Sequence, residues 1–367
     1  MRWFTKNTTG RSMIFPGRVK AGKKRFESLG SILICRLLYL SLIFVLQACA
    51  QERHHINGIS FVATRSVIQA DKTAPVKEDY HANYAAVIPY GFMRSLDSPK
   101  IIYNTPRQWW GEQLKGARAT IELFQQQGTN VMLKPQIWIG GGDYTGNISM
   151  LGEKQWKELE DSYTTFIMEF AQLAADVNIP LFCIGTELDS FVQEQPEYWS
   201  ELIVKIREIY KGKITYAGNW DSYKDVKFWS ELDYIGVDAY FPVSERRTPD
   251  LNDVKASWGK WKMEMSTLSR KHNRKILFTE YGYVSADYAG REPWKNAGED
   301  RPVNFQAQQV LLDGLYQSVW NEDWMAGGFL WKHHAESYRR EGWLTKLFTT
   351  QDKPAQEIVA AQYLKSS

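Results

Sequence analysis

Eight short apolar segments, separated by longer segments with the periodicity of amphipathic helices, dominate the sequence after residue 55. The predicted strands cover residues 57–64, 84–90, 130–139, 181–186, 214–217, 234–239, 276–279 and 326–331. The predicted helices cover residues 111–127, 153–177, 196–210, 226–232, 253–272, 304–320 and 354–364, whereas residues 69–81 are polar and loop-like. Strict alternation favours a parallel sheet, and eight repeats favour closure of that sheet. We therefore expect an α/β fold, a single (β/α)8 TIM barrel.

The first 49 residues differ in composition from the rest of the chain. Residues 1–48 contain nine of the 45 basic residues but only one of the 42 acidic residues. An apolar run at residues 37–46 follows the basic stretch, and it is shorter than the roughly 20 residues that a transmembrane helix needs. We expect residues 1–49 to be a basic leader with a signal or lipoprotein peptide, and residues 50–367 to form one domain.

The leader ends in Leu46-Gln47-Ala48-Cys49, which resembles a bacterial lipobox. That resemblance implies lipidation of Cys49 and an exported, membrane-anchored lipoprotein of the periplasm or the cell surface. Gln47 is not a preferred residue of the motif, so ordinary signal cleavage stays open as the alternative. The basic stretch is long for a signal peptide, and a translation start at Met13 is open as well.

The remaining composition excludes several classes of function. Without residues 1–48 the chain has 36 basic and 41 acidic residues, a net charge of −5, which gives no support for nucleic-acid binding. Cys183 would be the one cysteine left in the mature domain, so no disulfide framework is possible. No group of His, Cys and acidic residues has metal-ligand spacing, and no motif indicates a cofactor. We expect a monomer.

Two predicted strands end in the same dipeptide, Thr-Glu. The segment LFCIGTELDS delivers Glu187 at the end of the fourth strand, and KILFTEYGY delivers Glu280 at the end of the seventh. Side-chain alternation places Gly185 on the same face as Glu187 and Phe278 on the same face as Glu280. If both faces point into the barrel, the two carboxyl groups meet at its upper rim. Retaining glycoside hydrolysis requires two carboxyl groups about 5 to 5.5 Å apart.

Further candidate site residues follow the ends of the predicted strands, where the loops of such a barrel build its concave face. They are Arg65, Lys134, Trp138, Asn219, Trp220, Asp238, Tyr240, Tyr283, Trp331 and His333. Flat aromatic rings stack on the CH faces of sugars, and amides and charged groups orient the hydroxyls. We expect Asp238 to pair with one of the nearby cations. The set predicts a sugar site.

Four segments carry a family resemblance, namely FCIGTELDSF, YIGVDAYFPV, ILFTEYGYVS and GGFLWKHH, in this order along the chain. With them the chain resembles the clan A glycoside hydrolases and, more narrowly, the family 113 β-mannanases. The resemblance implies Glu187 as acid/base, Glu280 as nucleophile and Tyr240 as the hydroxyl that positions it. It also implies Trp331 as the platform under the sugar and β-1,4-mannan as the substrate.

The residue before Glu187 departs from the clan pattern. Much of the clan has Asn there to read the substrate 2-hydroxyl, whereas this chain has Thr186. We hypothesise that Asn219 or another residue at a strand end takes that role.

Three functions stay open beside mannan hydrolysis. The barrel could be a retaining β-glycosidase for a glucan, an exo-acting enzyme that releases mannobiose, or a non-catalytic surface protein that binds glycans. The presence of both glutamates and Tyr240 counts against the last of these, because binding alone needs no acid and nucleophile.

Overall fold

The computed structural model of the chain describes residues 55–335 and 345–366. The predicted leader, including Cys49, lies outside these residues. Among the described residues, no helix combines the length and the apolar character that crossing a membrane requires.

Eight parallel strands close into a barrel, which confirms the predicted fold class. The barrel strands are β1 (Ile56–Phe61), β2 (Tyr84–Val87), β4 (Asn130–Leu133), β6 (Leu181–Thr186), β7 (Lys213–Asn219), β8 (Tyr234–Asp238), β9 (Lys275–Tyr281) and β10 (Met325–His333). Around the barrel the strand order is β1, β10, β9, β8, β7, β6, β4, β2, back to β1.

The helices surround this barrel. They are α1 (Ala70–Glu78), α2 (Leu114–Gln126), α3 (Glu153–Asp176), α4 (Asp189–Glu194), α5 (Pro196–Ile209), α6 (Leu251–His272), α7 (Phe305–Leu315) and α8 (Ala355–Lys365). A π-helical turn, Tyr316–Trp320, continues α7. Between β7 and β8 the chain forms the 3-10 turns Tyr223–Asp225 and Trp229–Glu231, so the helix predicted at 226–232 is wrong.

The loop predicted at residues 69–81 is also wrong, because α1 forms there. Most residues of α1 are polar, and its buried residues are Thr73 and Val76, which lie three positions apart on one face of the helix. Pro75 lies inside the helix. The packing of this face against the rest of the fold stabilises the helix, although the local sequence pattern does not predict one.

Two of the predicted strands are each broken by a proline. β2 is followed by β3 (Tyr90–Met93) and β4 by β5 (Gln136–Ile139), and β3 and β5 pair with each other as a separate parallel ladder. The breaks contain Pro89 and Pro135, which have no N–H to donate to a ladder. The second ladder thus carries the chain upward from the barrel rim on the side of β2 and β4.

The core has two layers. Inside the barrel lies a small apolar cluster that includes Met132, Cys183, Leu277 and Phe329. Between strands and helices lies a much larger cluster with many aromatic side chains, among them the fully buried Trp199, Trp258 and Trp320. The inner cluster fills the barrel, so the space for a ligand lies above it, at the carboxyl ends of the strands.

Candidate active site

Glu187 reaches the barrel rim through an irregularity of β6. The register between β6 and β7 shifts between Cys183 and Thr186. Gly185 points outward, since a Cβ there would lie 2.9 Å from the side chains of Trp199 and Tyr163. Glu187 itself has a left-handed backbone, with φ of 51°. The prediction that Gly185 and Glu187 share a face is therefore wrong, because alternation does not survive the shift.

The other glutamate, Glu280, follows a similar irregularity in β9. Leu277 belongs to the inner cluster, whereas Phe278 packs in the outer layer. The register with β8 then shifts between Phe278 and Glu280. Thr279 and Glu280, although adjacent in sequence, both contact residues at the centre of the site. The prediction that Phe278 and Glu280 share a face is wrong for the same reason.

Both glutamates line one cleft of about 750 Å³ above the barrel. The wall of the cleft includes seven of the residues predicted from the sequence, namely Glu187, Glu280, Tyr240, Trp138, Asn219, Trp220 and Trp331. The volume falls in the range of about 300 to 1,000 Å³ that small-molecule sites occupy.

Three donors hold the carboxylate of Glu280. Lys134 Nζ lies 2.5 Å and Gln136 Nε2 lies 2.8 Å from Oε1, and the Tyr240 hydroxyl donates to Oε2 at 2.8 Å. Lys134 and Gln136 are two positions apart on either side of the Pro135 break, so both reach the same oxygen. Burial and then the charges of Glu280 and Asp238 raise the pKa of Tyr240 well above its ordinary value. Tyr240 therefore acts as a hydrogen-bond donor.

Lys134 and Asp238 lie beneath Glu280 rather than in the wall of the cleft, and both side chains are fully buried. Lys134 Nζ is 3.2 Å from Asp238 Oδ1, and Thr279 Oγ1 donates to the same oxygen at 2.7 Å. Burial lowers the pKa of Lys134, but the charges of Asp238 and Glu280 outweigh it and raise that pKa overall. Burial and the charge of Glu280 raise the pKa of Asp238 to about 7.

Glu187 lies in a different electrostatic environment. Burial raises its pKa well above the ordinary value, and the negative charges of Asp238 and Glu280 raise it further. Its backbone is tied to the loop after β5, because Thr145 Oγ1 donates to the Glu187 carbonyl at 3.0 Å. The protonated form of Glu187 is favoured, as a general acid requires.

Aromatic side chains line both halves of the cleft. Trp331 and the exposed Trp138 lie on the side of β10 and β5, and Trp220 stacks on Trp294 with ring centroids 5.0 Å apart. A second cavity of about 730 Å³ adjoins the cleft and shares Trp138 and Trp331 with it. Trp109 contributes a further aromatic wall to that second cavity. Flat apolar surfaces of this kind suit sugar rings.

Besides Lys134 and Asp238, three more of the predicted substrate-binding residues do not line the cleft. Tyr283 and His333 are buried, and His333 stacks on Phe61 at 5.9 Å. Burial lowers the pKa of His333 to about 4, so it is neutral near neutral pH. Arg65 is exposed and covers the ring of Trp109, with its guanidinium carbon 4.7 Å from the ring centroid.

Other cleft residues were not among the predicted site residues. They include Gln136, Tyr144, Trp294, Asn296, Lys332 and Phe348. The signal for Gln136 was its position in the predicted strand 130–139, two residues after Lys134. Asn296 and Phe348 come from the loop after β9 and from the segment before α8, where the sequence pattern shows no strand end.

Asn219 lies in the cleft wall with its amide already engaged locally. Its Nδ2 donates to Asp221 Oδ1 at 3.0 Å, and its Oδ1 accepts from the N–H of Trp220 at 3.0 Å. The wall has two other amide side chains among the described residues, Gln136 and Asn296, and Gln136 donates to Glu280. In the described part of the chain no three His, Cys, Asp or Glu side chains are grouped to hold a metal ion.

A closed (β/α)8 barrel whose rim joins two glutamates in an aromatic cleft has the arrangement expected of a glycoside hydrolase. A model of Glycoside Hydrolase Family 113 matches residues 65–347, and the chain belongs to that family. The resemblance drawn from the four sequence segments is thereby confirmed.

Solved structures agree on the fold. The GH113 β-mannanase AaManA from Alicyclobacillus acidocaldarius is 22% identical, with a TM-score of 0.75, and the match covers 85% of this chain and 98% of that chain. A second GH113 β-1,4-mannanase is 19% identical, with a TM-score of 0.74 and coverage of 85% and 99%. A β-glucuronidase from Ruminococcus gnavus shares 13% identity, a TM-score of 0.56 and coverage of 84% and 50%. No curated protein matches the chain.

Proposed function

We propose that this glycoside hydrolase cleaves β-1,4-mannan by double displacement, with Glu187 as acid/base and Glu280 as nucleophile. The observation that carries the proposal is the contrast between the two glutamates in one cleft. Three donors hold the Glu280 carboxylate, whereas burial and neighbouring negative charge raise the pKa of Glu187. In glycoside hydrolysis, the carboxyl group whose environment raises its pKa serves as the acid, and the carboxylate that is stabilised by donors serves as the nucleophile.

Double displacement assigns each residue a step. Glu280 attacks the anomeric carbon while Glu187 protonates the leaving oxygen, and a covalent glycosyl-enzyme forms. Glu187, now ionised, takes a proton from water, which attacks the same carbon and releases Glu280. Tyr240 and Gln136 hold Glu280 in position, and Trp331 lies under the sugar ring.

The choice of mannan is supported by the family and by similar solved structures, which include GH113 β-mannanases. The cleft continues into a second cavity on the Trp109 side, and the Trp220–Trp294 pair lines its other half. Aromatic surface on both sides of the two glutamates supports cleavage within a polymer. A glucan-cleaving enzyme and an exo-acting enzyme that releases mannobiose are the outcomes that would displace this proposal.

Reducing-end release from β-1,4-mannan, glucomannan, xylan and mixed-linkage glucan tests the substrate, with the full chain beside Glu280→Ala and Glu187→Ala. We expect mannan to be the best polymer and both variants to lose at least about 10³-fold in rate. Proton NMR of the first product should show a retained β-anomer. Preference for another polymer, release of mannobiose alone, or binding without turnover would each contradict the proposal.

Azide separates the two glutamates. With an aryl glycoside whose leaving group needs no protonation, Glu187→Ala should still form the glycosyl-enzyme, and azide should then attack it. We expect azide to restore turnover in Glu187→Ala and to give a β-glycosyl azide. If azide instead restored Glu280→Ala through an α-glycosyl azide, the two roles would be exchanged.

We also propose that the chain is exported and anchored in the membrane through Cys49. The support is the basic and apolar leader with its lipobox-like end. Labelling with a radioactive fatty acid in a bacterial host tests it. The wild-type chain should carry label and Cys49→Ala should not, whereas an unlabelled but cleaved wild-type chain would indicate an ordinary signal peptide.

A further inference from the structure

Lys134 is a buried cation with no access to the substrate cleft. Its side chain is 0% exposed, and it is not part of the cleft wall. Its ammonium group lies 2.5 Å from Glu280 Oε1 and 3.2 and 3.3 Å from the two oxygens of Asp238. A buried ammonium needs such partners, because the loss of hydration is otherwise uncompensated. Lys134 therefore acts on the carboxylates rather than on the sugar.

Asp238 fixes the position of this cation. It is fully buried, and besides Lys134 it accepts a hydrogen bond of 2.7 Å from Thr279, the residue directly before Glu280. The shift of register in β9 brings Thr279 and Glu280 to the same side. One chain of contacts thus leads from Thr279 through Asp238 and Lys134 to Glu280 at the floor of the cleft.

Apart from Lys134, the described charged groups near Glu280 either repel its carboxylate or make no direct contact with its oxygens. In the described part of the chain, the titratable groups that face Glu280 or its partners are Tyr90, Lys134, Cys183, Glu187, Asp238, Tyr240 and Lys332. Two of them, Glu187 and Asp238, are acids. The second lysine, Lys332, lies over the Trp331 ring at 4.5 Å, and burial lowers its pKa. Within residues 55–335 and 345–366, Lys134 is the cation in direct contact with Glu280.

We propose that Lys134 and Asp238 are a positioning pair for the nucleophile. Lys134 orients the Glu280 carboxylate and compensates its negative charge, and Asp238 holds Lys134 in place. When the glycosyl-enzyme has formed and Glu280 is no longer charged, Asp238 still balances the charge of Lys134. The assignment of Glu280 as nucleophile rests on the proposed function; the contact network does not.

The charge balance provides the test. In Lys134→Met, two buried acids, Glu280 and Asp238, lose their cation, whereas Lys134→Met with Asp238→Asn removes one positive and one negative charge together. Lys154→Met on α3 is the matched control, since that lysine is 91% exposed and lies outside the site. The full chain is used throughout.

Kinetics give the first measurement. We expect Lys134→Met to lower kcat by at least about 10²-fold with little change in KM, and to move the acid limb of kcat/KM to higher pH. Adding Asp238→Asn should recover at least about tenfold in kcat and move the acid limb back. A rise in KM at unchanged kcat, or a double variant no better than Lys134→Met, would overturn the proposal.

Stability gives a second measurement that needs no substrate. Two buried acids without a cation favour protonation in the folded state, so Lys134→Met should unfold at lower urea at about pH 8 than at about pH 5, relative to wild type. The double variant should show a much smaller difference between the two pH values. If Lys134→Met lost the same stability at both pH values, Lys134 would have a packing role, and the proposal would be overturned. If the wild-type chain were inactive on mannan, only the proposed substrate would be contradicted. The urea measurement needs no substrate, so it would still test the pairing of Lys134 with Asp238.

Discussion

Two glutamates of identical covalent structure lie in one cleft with different surroundings. Hydrogen-bond donors contact both oxygens of Glu280, whereas Glu187 is buried near negatively charged side chains. The two Thr-Glu dipeptides in the sequence predicted both positions, because they end the fourth and the seventh predicted strands and so place two carboxyl groups at one rim. The identity of the partners was harder to predict, since Lys134 and Asp238 turn inward and only the folded barrel shows which carboxylate they reach.

Tyr240→Phe tests the hydroxyl that donates to Glu280 at 2.8 Å. Hydrogen bonds to charged groups contribute about 1.5 to 3 kcal/mol, so we expect kcat to fall about 10- to 100-fold. The KM for mannan should change little, because the hydroxyl contacts the carboxylate and not remote sugar units. Steady-state kinetics with Tyr283→Phe as control, a buried tyrosine outside the cleft wall, make the comparison. An equal effect of both substitutions would contradict the assigned contact.

Asp238→Asn tests the electrostatic origin of the Glu187 environment. After burial, the charge of Asp238 is the largest cause that raises the pKa of Glu187. A general acid must be protonated, so activity is lost as pH rises through its pKa. Removing the Asp238 charge lowers that pKa, and the basic limb of kcat/KM should move to lower pH. A basic limb that stays in place or moves upward would show that another group controls it.

Among the elements, β6 and β9 depart from regular alternation at the point where the glutamates emerge. The sequence predicted both strands and their ends, but side-chain counting assumed an uninterrupted pleat. The register shifts leave Ile184 and Gly185 of β6 opposite Tyr216 alone, and Thr279 is the extra residue in β9. Side-chain alternation in the sequence does not show where either shift occurs. The proline breaks after β2 and β4 were visible in the sequence, yet the second ladder that they create depends on tertiary pairing.

Gly185→Ala tests the outward-facing residue of β6. Its added Cβ would lie 2.9 Å from the ring of Trp199 and 2.9 Å from the hydroxyl of Tyr163, so we expect a loss of about 1 to 3 kcal/mol in the free energy of unfolding. Gly259→Ala on α6 is the control, because its Cβ would meet no atom within 4 Å. That change should be neutral or stabilise by up to about 1 kcal/mol. Urea unfolding followed by tryptophan fluorescence measures both, and equal stabilities would contradict the packing.

At the scale of the whole molecule, the last helix joins the first and ninth strands. The Tyr363 hydroxyl donates to the Gly58 carbonyl of β1 at 2.6 Å and lies 2.6 Å from the Tyr281 hydroxyl of β9. Asn57 of β1 donates to the Tyr363 carbonyl at 3.1 Å. The sequence predicted α8 as a terminal helix, but contacts more than 300 residues apart in the chain leave no local pattern.

Tyr363→Phe tests this closure. The Gly58 carbonyl would lose the donated bond in a buried place, which costs about 1 to 3 kcal/mol of unfolding free energy. Leu364→Ala, at a neighbouring position that is 62% exposed, should stay within about 0.5 kcal/mol of wild type. Differential scanning calorimetry compares the two. A larger loss from Leu364→Ala would show that exposed apolar contacts, rather than the hydroxyl, hold the helix.

The stacked pair Trp220–Trp294 has an optical consequence. Two indole rings with centroids 5.0 Å apart and planes inclined by 17° are close enough for their electronic transitions to couple. The pair should contribute an exciton couplet to the circular dichroism spectrum, and Trp294→Phe should abolish it. Since Trp294 belongs to the loop after β9, the strength of the couplet would report how that loop stands over the cleft, in solution and without any turnover.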